Sequence, residues 1–578
     1  MNENIMNNKM NGEIPDYAMI PAVPASETPA KLIPATDDLK STRLRLSGVH
    51  TVNIPDITIE EDILVPDTRP DLEKIVSITA VPEVSSHESY VAANGSNMFK
   101  ISGNFEISTL YLPADSRTEL VSITSHVPFR RETEVETPVS NTAEIDVQGN
   151  VIQSKVINER KIRISAGASF TIHEYGENEI ELLEGVRDDS LLLKKDTIRF
   201  TDMAQQRTDT TDIKEKIRIK DSLPAPERIL RYDVNAVENH RQLSRGKAVV
   251  EGSLYYSILY LPETEEDTDT LPVYMRGKSE FTQFLRLPEM NDEETAGSIV
   301  KFEILKSDIS LRDPNSTYND TDSDEADSED ETSDDRNTSP YFLLNASLAT
   351  SIQVYRNIER EVVTDMYHRS RDLEFSTAPY EISELCGSTA TDISVRDTVT
   401  IPDNQGSAAS VPYIDVRVGT ITTTAETDRC IVEGNLDISI LFSDETTGEV
   451  SCCDAKVPFR AVTDMSGVCS TSRIECVPGI KDIWFDKINS HQVDFNCSLS
   501  VRVCAWNVTL HEFIDKVCYI EDGSGSAASQ GIVVYMTKPD DTQWSVSKKF
   551  RTTVEALRDV NGLEENQPLT EGTRLLIV

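Results

Sequence analysis

Three stretches of this chain align with one another, and that repetition constrains the fold more than any other feature. "GNFEISTLYL" from Gly103, "GSLYYSILYL" from Gly252 and "GNLDISILFS" from Gly434 each open on glycine. Each then runs on in β-branched and aromatic residues. Phe105, Ile107 and Tyr111 share one face at period two, as do Leu254, Tyr256, Ile258 and Tyr260. Leu436, Ile438, Ile440 and Phe442 repeat the pattern. Period two is the signature of a strand, and self-similarity at long intervals marks a repeat architecture.

The surroundings recur as well. "VPFR" follows the first and third stretches, at Val127–Arg130 and Val457–Arg460, with "SEFTQF" near that place in the second copy. Upstream stands "DILVPDTRPDLEKIV" (Asp62–Val76), echoed by "DSLPAPERIL" (Asp221–Leu230) and "VTIPD" (Val399–Asp403). Further alternating runs follow each copy, so each is a mostly β unit of roughly 150 residues. The recurring Pro and Asp set turns at strand ends. Pro128 and Pro458 are expected at strand starts, where a missing N–H is harmless.

The fold class this predicts is mainly β: three β-rich repeat domains followed by a small α+β module in the order βααβ. The expected boundaries are a flexible N-terminal segment over 1–45 and repeats over 46–195, 196–370 and 371–522. A Gly/Ser/Ala linker over 523–531 then leads to a terminal module over 532–578, which such a tether leaves free to move independently. The second repeat holds an acidic insert, 313–339, without Lys or Arg up to Asp335; it self-repels and is expected to be a disordered loop. Asp320, Asp322, Asp324 and Glu331 in it mimic calcium-loop spacing, but Glu325 occupies the position where the sharp turn needs glycine.

Charge and composition narrow the function. With 56 Lys plus Arg against 99 Asp plus Glu, the net charge is −43, a surface that repels nucleic acid and anionic headgroups. No run approaches the ~18 apolar residues of a membrane span. The N-terminus "MNENIMNNKMNGEIPDYAMIPAVPAS" lacks the basic and apolar regions of a signal peptide, so a cytoplasmic location is expected.

The nine cysteines all fall between Cys386 and Cys518; an odd, one-sided set with no CxxC pair reads as buried free thiols. Cys497 and Cys504, seven apart in a strand-like run, belong on opposite faces. His511 near Cys504 and Cys518, and the vicinal Cys452–Cys453, come nearest to a reactive cluster. The chain has no GxxxxGK[ST], HExxH, GxSxG or dinucleotide fingerprint. A non-enzyme is expected, with no catalytic residue, metal site or cofactor.

The last stretch, from Gly531, reads as strand, helix, helix, strand. Asp541 or Thr542 is the expected cap of the first helix, and Thr552 with Glu555 a capping box for the second. Val554, Leu557 and Val560 are expected on that helix's apolar face. Tyr535, Lys538-Pro539, Asp541-Thr542, Trp544-Ser545, Thr553-Val554, Leu557, Asn561-Gly562-Leu563, Leu569, Gly572 and Leu575–Ile577 resemble the LysM domain in order and spacing. That resemblance implies a shallow groove for N-acetylglucosamine-containing glycans. Its rims would be Asp541, Thr542 and Gln543 on one side, and Asn561, Gly562, Leu563, Leu569, Thr570 and Glu571 on the other. Asp540 stands where the family usually has Gly, Gln543 replaces an apolar residue, and Glu571 replaces a Pro.

Three β repeats, a linker and one terminal LysM together look like the SipL-type spore coat morphogenetic proteins, whose repeats are SPOCS domains. The resemblance implies a non-catalytic adaptor on the mother-cell side of the forespore surface. Its LysM would engage stage IV sporulation protein A, the ATPase of the coat's basement layer. The alternative it leaves open is a peptidoglycan-binding protein of the cell wall or spore cortex.

Overall fold

The computed structural model describes residues 31–34, 39–114, 116–135, 139, 143–263, 270–288, 296–312, 339–521, 531–565 and 567–578. A short strand, β1 (Lys31–Pro34), is followed by six strands: β2 (Leu39–Leu64), β3 (Leu72–Val91), β4 (Asn97–Pro113), β5 (Val121–Val135), β6 (Glu144–Asn158) and β7 (Lys161–Val186). They form two antiparallel sheets, β3-β4-β5 and β2-β7-β6.

The same order returns twice. The second unit has β8 (Leu191–Arg218), β9 (Pro226–Ser244), β10 (Gly246–Pro262), β11 (Val273–Leu287), β12 (Gly297–Arg312) and β13 (Tyr341–His368). The third has β14 (Leu373–Thr400), β15 (Ala408–Glu426), β16 (Arg429–Asp444), β17 (Val450–Asp464), β18 (Arg473–Asn489) and β19 (Gln492–Glu521). A small module closes the chain with β20 (Val533–Met536), α1 (Gln543–Phe550), α2 (Val554–Asn561) and β21 (Arg574–Ile577). The fold is mainly β with an α+β end, as the repeat predicts.

Each unit is a sandwich around its own core, and the repeated stretches are the central strands of the meanders. Phe105, Ile107 and Tyr111 pack with Phe129, Ile162 and Phe170. Leu254, Ile258 and Tyr260 pack with Phe281 and Phe342, and Leu436, Ile438, Ile440 and Phe442 with Phe459 and Phe495.

The opening glycine has a physical reason. Gly103 pairs across the strands with Phe129, Gly252 with Phe281 and Gly434 with Phe459. A Cβ on Gly103 would lie 2.0 Å from the Glu83 carbonyl oxygen and 2.8 Å from the Phe129 ring; on Gly252 it would lie 2.4 Å from the Phe281 ring. The aromatic side chain covers the glycine on the neighbouring strand, so "VPFR" and "SEFTQF" are the same device. Gly103→Ala is therefore an overpacking change, expected to cost about 1–3 kcal/mol. Denaturant unfolding followed by hydrogen exchange in β3 and β5 would register it.

Pro128 and Pro458 lie inside β5 and β17, opposite Asn104 and Asn435, and not at strand starts. Both strands are edges of their meanders, where a missing N–H breaks no inner ladder.

Further contacts join the units. β5 lies beside β9, β11 beside β15 and β17 beside β3, so the three meanders close into a ring. One end of the ring is plugged by Val76, Leu110, Leu112 and Leu120 of the first unit, Leu230, Leu259 and Leu261 of the second, and Tyr413, Leu441 and Val450 of the third. Behind the plug lies a polar cavity of ≈ 1810 Å³ that all three units line.

The long strands also overhang their sandwiches. β6 pairs with β7 only as far as His173, β12 with β13 only as far as Tyr355, and β18 with β19 only as far as Trp506. Beyond those points each pair runs on as a two-stranded ribbon, to Leu39↔Val186, Leu191↔His368 and Leu373↔Tyr519. At ~3.3 Å per residue the overhang is about 40 Å. Ile180, Leu182, Phe200, Val362, Ile382 and Phe513 pack the three ribbons into a stalk. β1 adds to the end of β19 at the stalk tip.

Residues 31–34 and 39–45, expected in a flexible segment, are thus strands, and the expected boundary at 195/196 falls within β8. The acidic residues 313–338 and the linker residues 523–530 lie outside the described residues. Among the described residues no helix is long and apolar enough to cross a membrane.

Cys430, Cys453, Cys497 and Cys504 are buried, and Cys497 and Cys504 belong to different apolar clusters, on opposite faces of β19. Cys469 departs from the expectation of burial. It is exposed, and hydrogen bonding with Ser472 and Thr471 lowers its thiol to about 7.

Candidate functional site: the terminal βααβ module

In the module β20 and β21 pair antiparallel, Val533 opposite Ile577 and Tyr535 opposite Leu575. Their inner face meets Val546 of α1 and Leu557 of α2, with Phe550, Leu563 and Leu569 around them. Thr542 caps α1 in a reciprocal capping box with Ser545. The cap of α2 is Thr553, which accepts from the Ala556 N–H, and not Thr552. Thr552 ends the preceding turn, its N–H donating to the Ser547 carbonyl. Val560 also departs from the expected apolar face, being 42% exposed at the outer end of α2.

Hydrogen bonds cross between the segment from Thr537 to Gln543 and the segment after α2. Thr537, just after β20, is buried; its Oγ1 donates to the Thr570 carbonyl (2.6 Å) and accepts from the Thr573 N–H (2.9 Å). Gly572 N–H donates back to the Thr537 carbonyl (2.9 Å). Farther along, Gln543 crosses between the rims. Its Nε2 donates to the carbonyls of Glu564 (3.0 Å) and Gln567 (2.9 Å), and its Oε1 accepts from Arg558 Nε (2.7 Å).

Most of the expected groove residues are thereby committed to the module's own structure. Asp541 Oδ2 accepts from the Lys538 N–H (2.7 Å) and from the Tyr535 hydroxyl (2.8 Å). The backbone donor at Lys538 is the main cause that holds its carboxyl below the usual range. Asn561 donates from Nδ2 to the carbonyls of Leu557 and Leu576, and its Oδ1 accepts from the Leu576 N–H. Gly562 is the left-handed cap of α2 at φ 62°. Thr570 Oγ1 bonds Thr573 Oγ1 (2.9 Å). Leu563 and Leu569 border the core, and Glu571 is exposed.

Asp540 adopts φ 66°, the region a glycine enters freely; aspartate is among the few other residues that tolerate it. Asp540, Asp541, Glu564, Glu565 and Glu571 give the rims an acidic cast, and Arg558 lies 3.6 Å from Glu565.

Comparison with known families follows this geometry. The LysM domain matches residues 535–578. The SipL family, described as the SPOCS domain, matches residues 226–312 and 409–488. This chain carries SPOCS domains and a C-terminal LysM domain. The SPOCS matches run from the meander through the strand after it, β9 to β12 and β15 to β18, and β3 to β6 repeat that order in the first unit. Both are binding domains, and they point to a sporulation coat-associated protein with a peptidoglycan-type module. Comparison with curated proteins and with solved structures gave no match.

One set of residues escaped sequence reasoning. Asp365, Tyr367 and Asp372, at the β13–β14 crossing of the stalk, contact α1 of the LysM domain and the turn after it. No motif marks them.

The cavity within the ring of meanders gathers, among the described residues, no group of His, Cys, Asp and Glu that could hold a metal ion. Arg417 donates to Asp415 (3.2 Å), Arg231 donates to Ser108, and Arg276 is spent on the Lys481 carbonyl and Asp482. Burial pushes the Asp233 carboxyl up there.

Proposed function

We propose that the chain is a non-catalytic adaptor of spore coat assembly whose LysM domain docks on the basement-layer ATPase, stage IV sporulation protein A, from the mother-cell side. The observation that carries this is the state of the groove. Its polar rim side chains are bonded internally, Gln543 spans the gap, and carboxylates surround it. Sugar recognition needs convergent, unspent donors and acceptors, and peptidoglycan is itself rich in carboxylates. A protein surface with basic groups suits these rims better. The ring of β units then serves as a platform that carries the module, and the chain's large negative charge adds long-range attraction toward basic partners.

Pull-downs from sporulating cells test the reading. The full chain is expected to recover the coat ATPase, and a chain lacking 531–578 is expected to lose it. Co-sedimentation of the full chain with purified peptidoglycan, without recovery of the ATPase, would instead establish the glycan reading.

A further inference from the structure

The LysM domain is seated on the stalk through one face of α1. Trp544 Nε1 donates to Asp365 Oδ2 (2.7 Å), and Lys548 Nζ donates to the other oxygen of that carboxylate. Arg551 pairs with Asp372. The Tyr367 hydroxyl donates to the Thr552 carbonyl (2.6 Å), its ring stands edge-on to Trp544 at 5.0 Å, and Lys548 lies 5.3 Å over Phe375.

The chemistry of this contact differs from that between the other parts. The units of the head share apolar clusters: the plug draws on all three, and Ile299 and Tyr355 of the second pack with Leu385, Cys504 and Trp506 of the third. Among the described residues no buried apolar cluster joins the module to the stalk; Val546, Leu557, Leu575 and Ile577 form a core of their own. What joins them is polar and aromatic, with both ion pairs part-exposed. Such pairs are individually weak and are screened by salt. The seat is held because β19 ends at Glu521 and the module opens near Gly531, which keeps the two surfaces at an effective concentration in the mM range.

We propose that this contact is a reversible latch: the LysM domain exchanges between a docked state, with the α1 face covered, and a released state on its tether. The groove rims stay open in both states, because Asp540, Thr542, Gly562 and Glu571 are exposed while docked. A ligand of the groove is therefore indifferent to the latch, whereas a ligand of the α1 face must first release it. The latch rests on the contact geometry and not on the identity of the partner proposed above.

The test is ¹⁹F NMR of the full chain carrying 5-fluorotryptophan. The chain has three tryptophans, Trp484, Trp506 and Trp544, assigned through Trp484→Phe and Trp544→Phe. At about 0.05 M salt the Trp544 resonance is expected at a docked position. Raising salt to about 0.5 M, which shortens the screening length several-fold, should move it toward a solvent-exposed indole. Asp365→Ala should place it there already at low salt, and Tyr367→Phe should lower the salt midpoint. The Trp506 resonance, buried in the head, should stay put and so report an intact fold. A Trp544 resonance identical in the parent chain and Asp365→Ala overturns docking. One that is docked and unmoved by salt overturns reversibility. Neither outcome touches the pull-down result, so the two proposals fail separately.

Discussion

Leu259→Ala is expected to loosen all three β units at once, at a cost of about 2–5 kcal/mol. Leu259 is 1% exposed and belongs to the plug together with Leu110, Leu230, Tyr413 and Leu441. Hydrogen bonds also cross the joints there. Lys74 donates to Ser451 (2.9 Å), Val450 N–H to the Arg117 carbonyl (3.0 Å), and Arg228 pairs with Glu119 (2.6 Å). Each such bond contributes only about 1 kcal/mol net, so the apolar plug dominates the joint. Ile258, one residue earlier, faces the second unit's own core and is the control. Hydrogen exchange decides the matter. Leu259→Ala should deprotect the ends of β4 and β16 in the neighbouring units, while Ile258→Ala should deprotect β13 and leave them alone. Deprotection confined to β9, β10 and β11 in both variants would mean that the ring is not cooperative.

How far the sequence anticipates this depends on which face of a strand is asked about. Phe105, Ile107 and Tyr111 are legible because period two needs only local chemistry. Leu110, Leu112, Leu259 and Leu261 lie on the other face, and the run "LYL" does announce burial on both sides. It cannot say against what, since that surface exists only once three units close into a ring. The glycine–aromatic pairs were visible as two separate motifs, but their link is a cross-strand register and not a spacing along the chain.

The order and spacing of the LysM pattern were legible because its turns are local, although the cap of α2 falls on Thr553 and not Thr552. The commitment of Gln543 and Asn561 was not, for their partners are carbonyls that tertiary folding delivers. Asp365 and Asp372 were least visible of all, two carboxylates among 99.

Gln543→Ala is the second large effect, because it falls on a small domain. At about 0.05–0.15 kcal/mol per residue, a module of about 47 residues has only ~2–7 kcal/mol of stability. Gln543 is 7% exposed, and removing it takes away its bonds with Arg558 Nε and with the Glu564 and Gln567 carbonyls, of which Glu564 keeps the Gln567 N–H (3.2 Å). Each lost bond costs about 0.5–1.5 kcal/mol net, together a large share of that total. Gln543→Leu separates packing from bonding, since it refills the volume with the kind of residue usual in the family. It should recover part of the module's stability but none of the protection of Glu564 and Gln567. Arg558→Ala combined with each variant completes a double-mutant cycle, and a coupling near zero would show that the crossing amide does not hold the rims. If Gln543→Leu instead matches the parent chain in both stability and loop protection, the groove owes its shape to the apolar core beneath it, and its rims are free to receive a ligand.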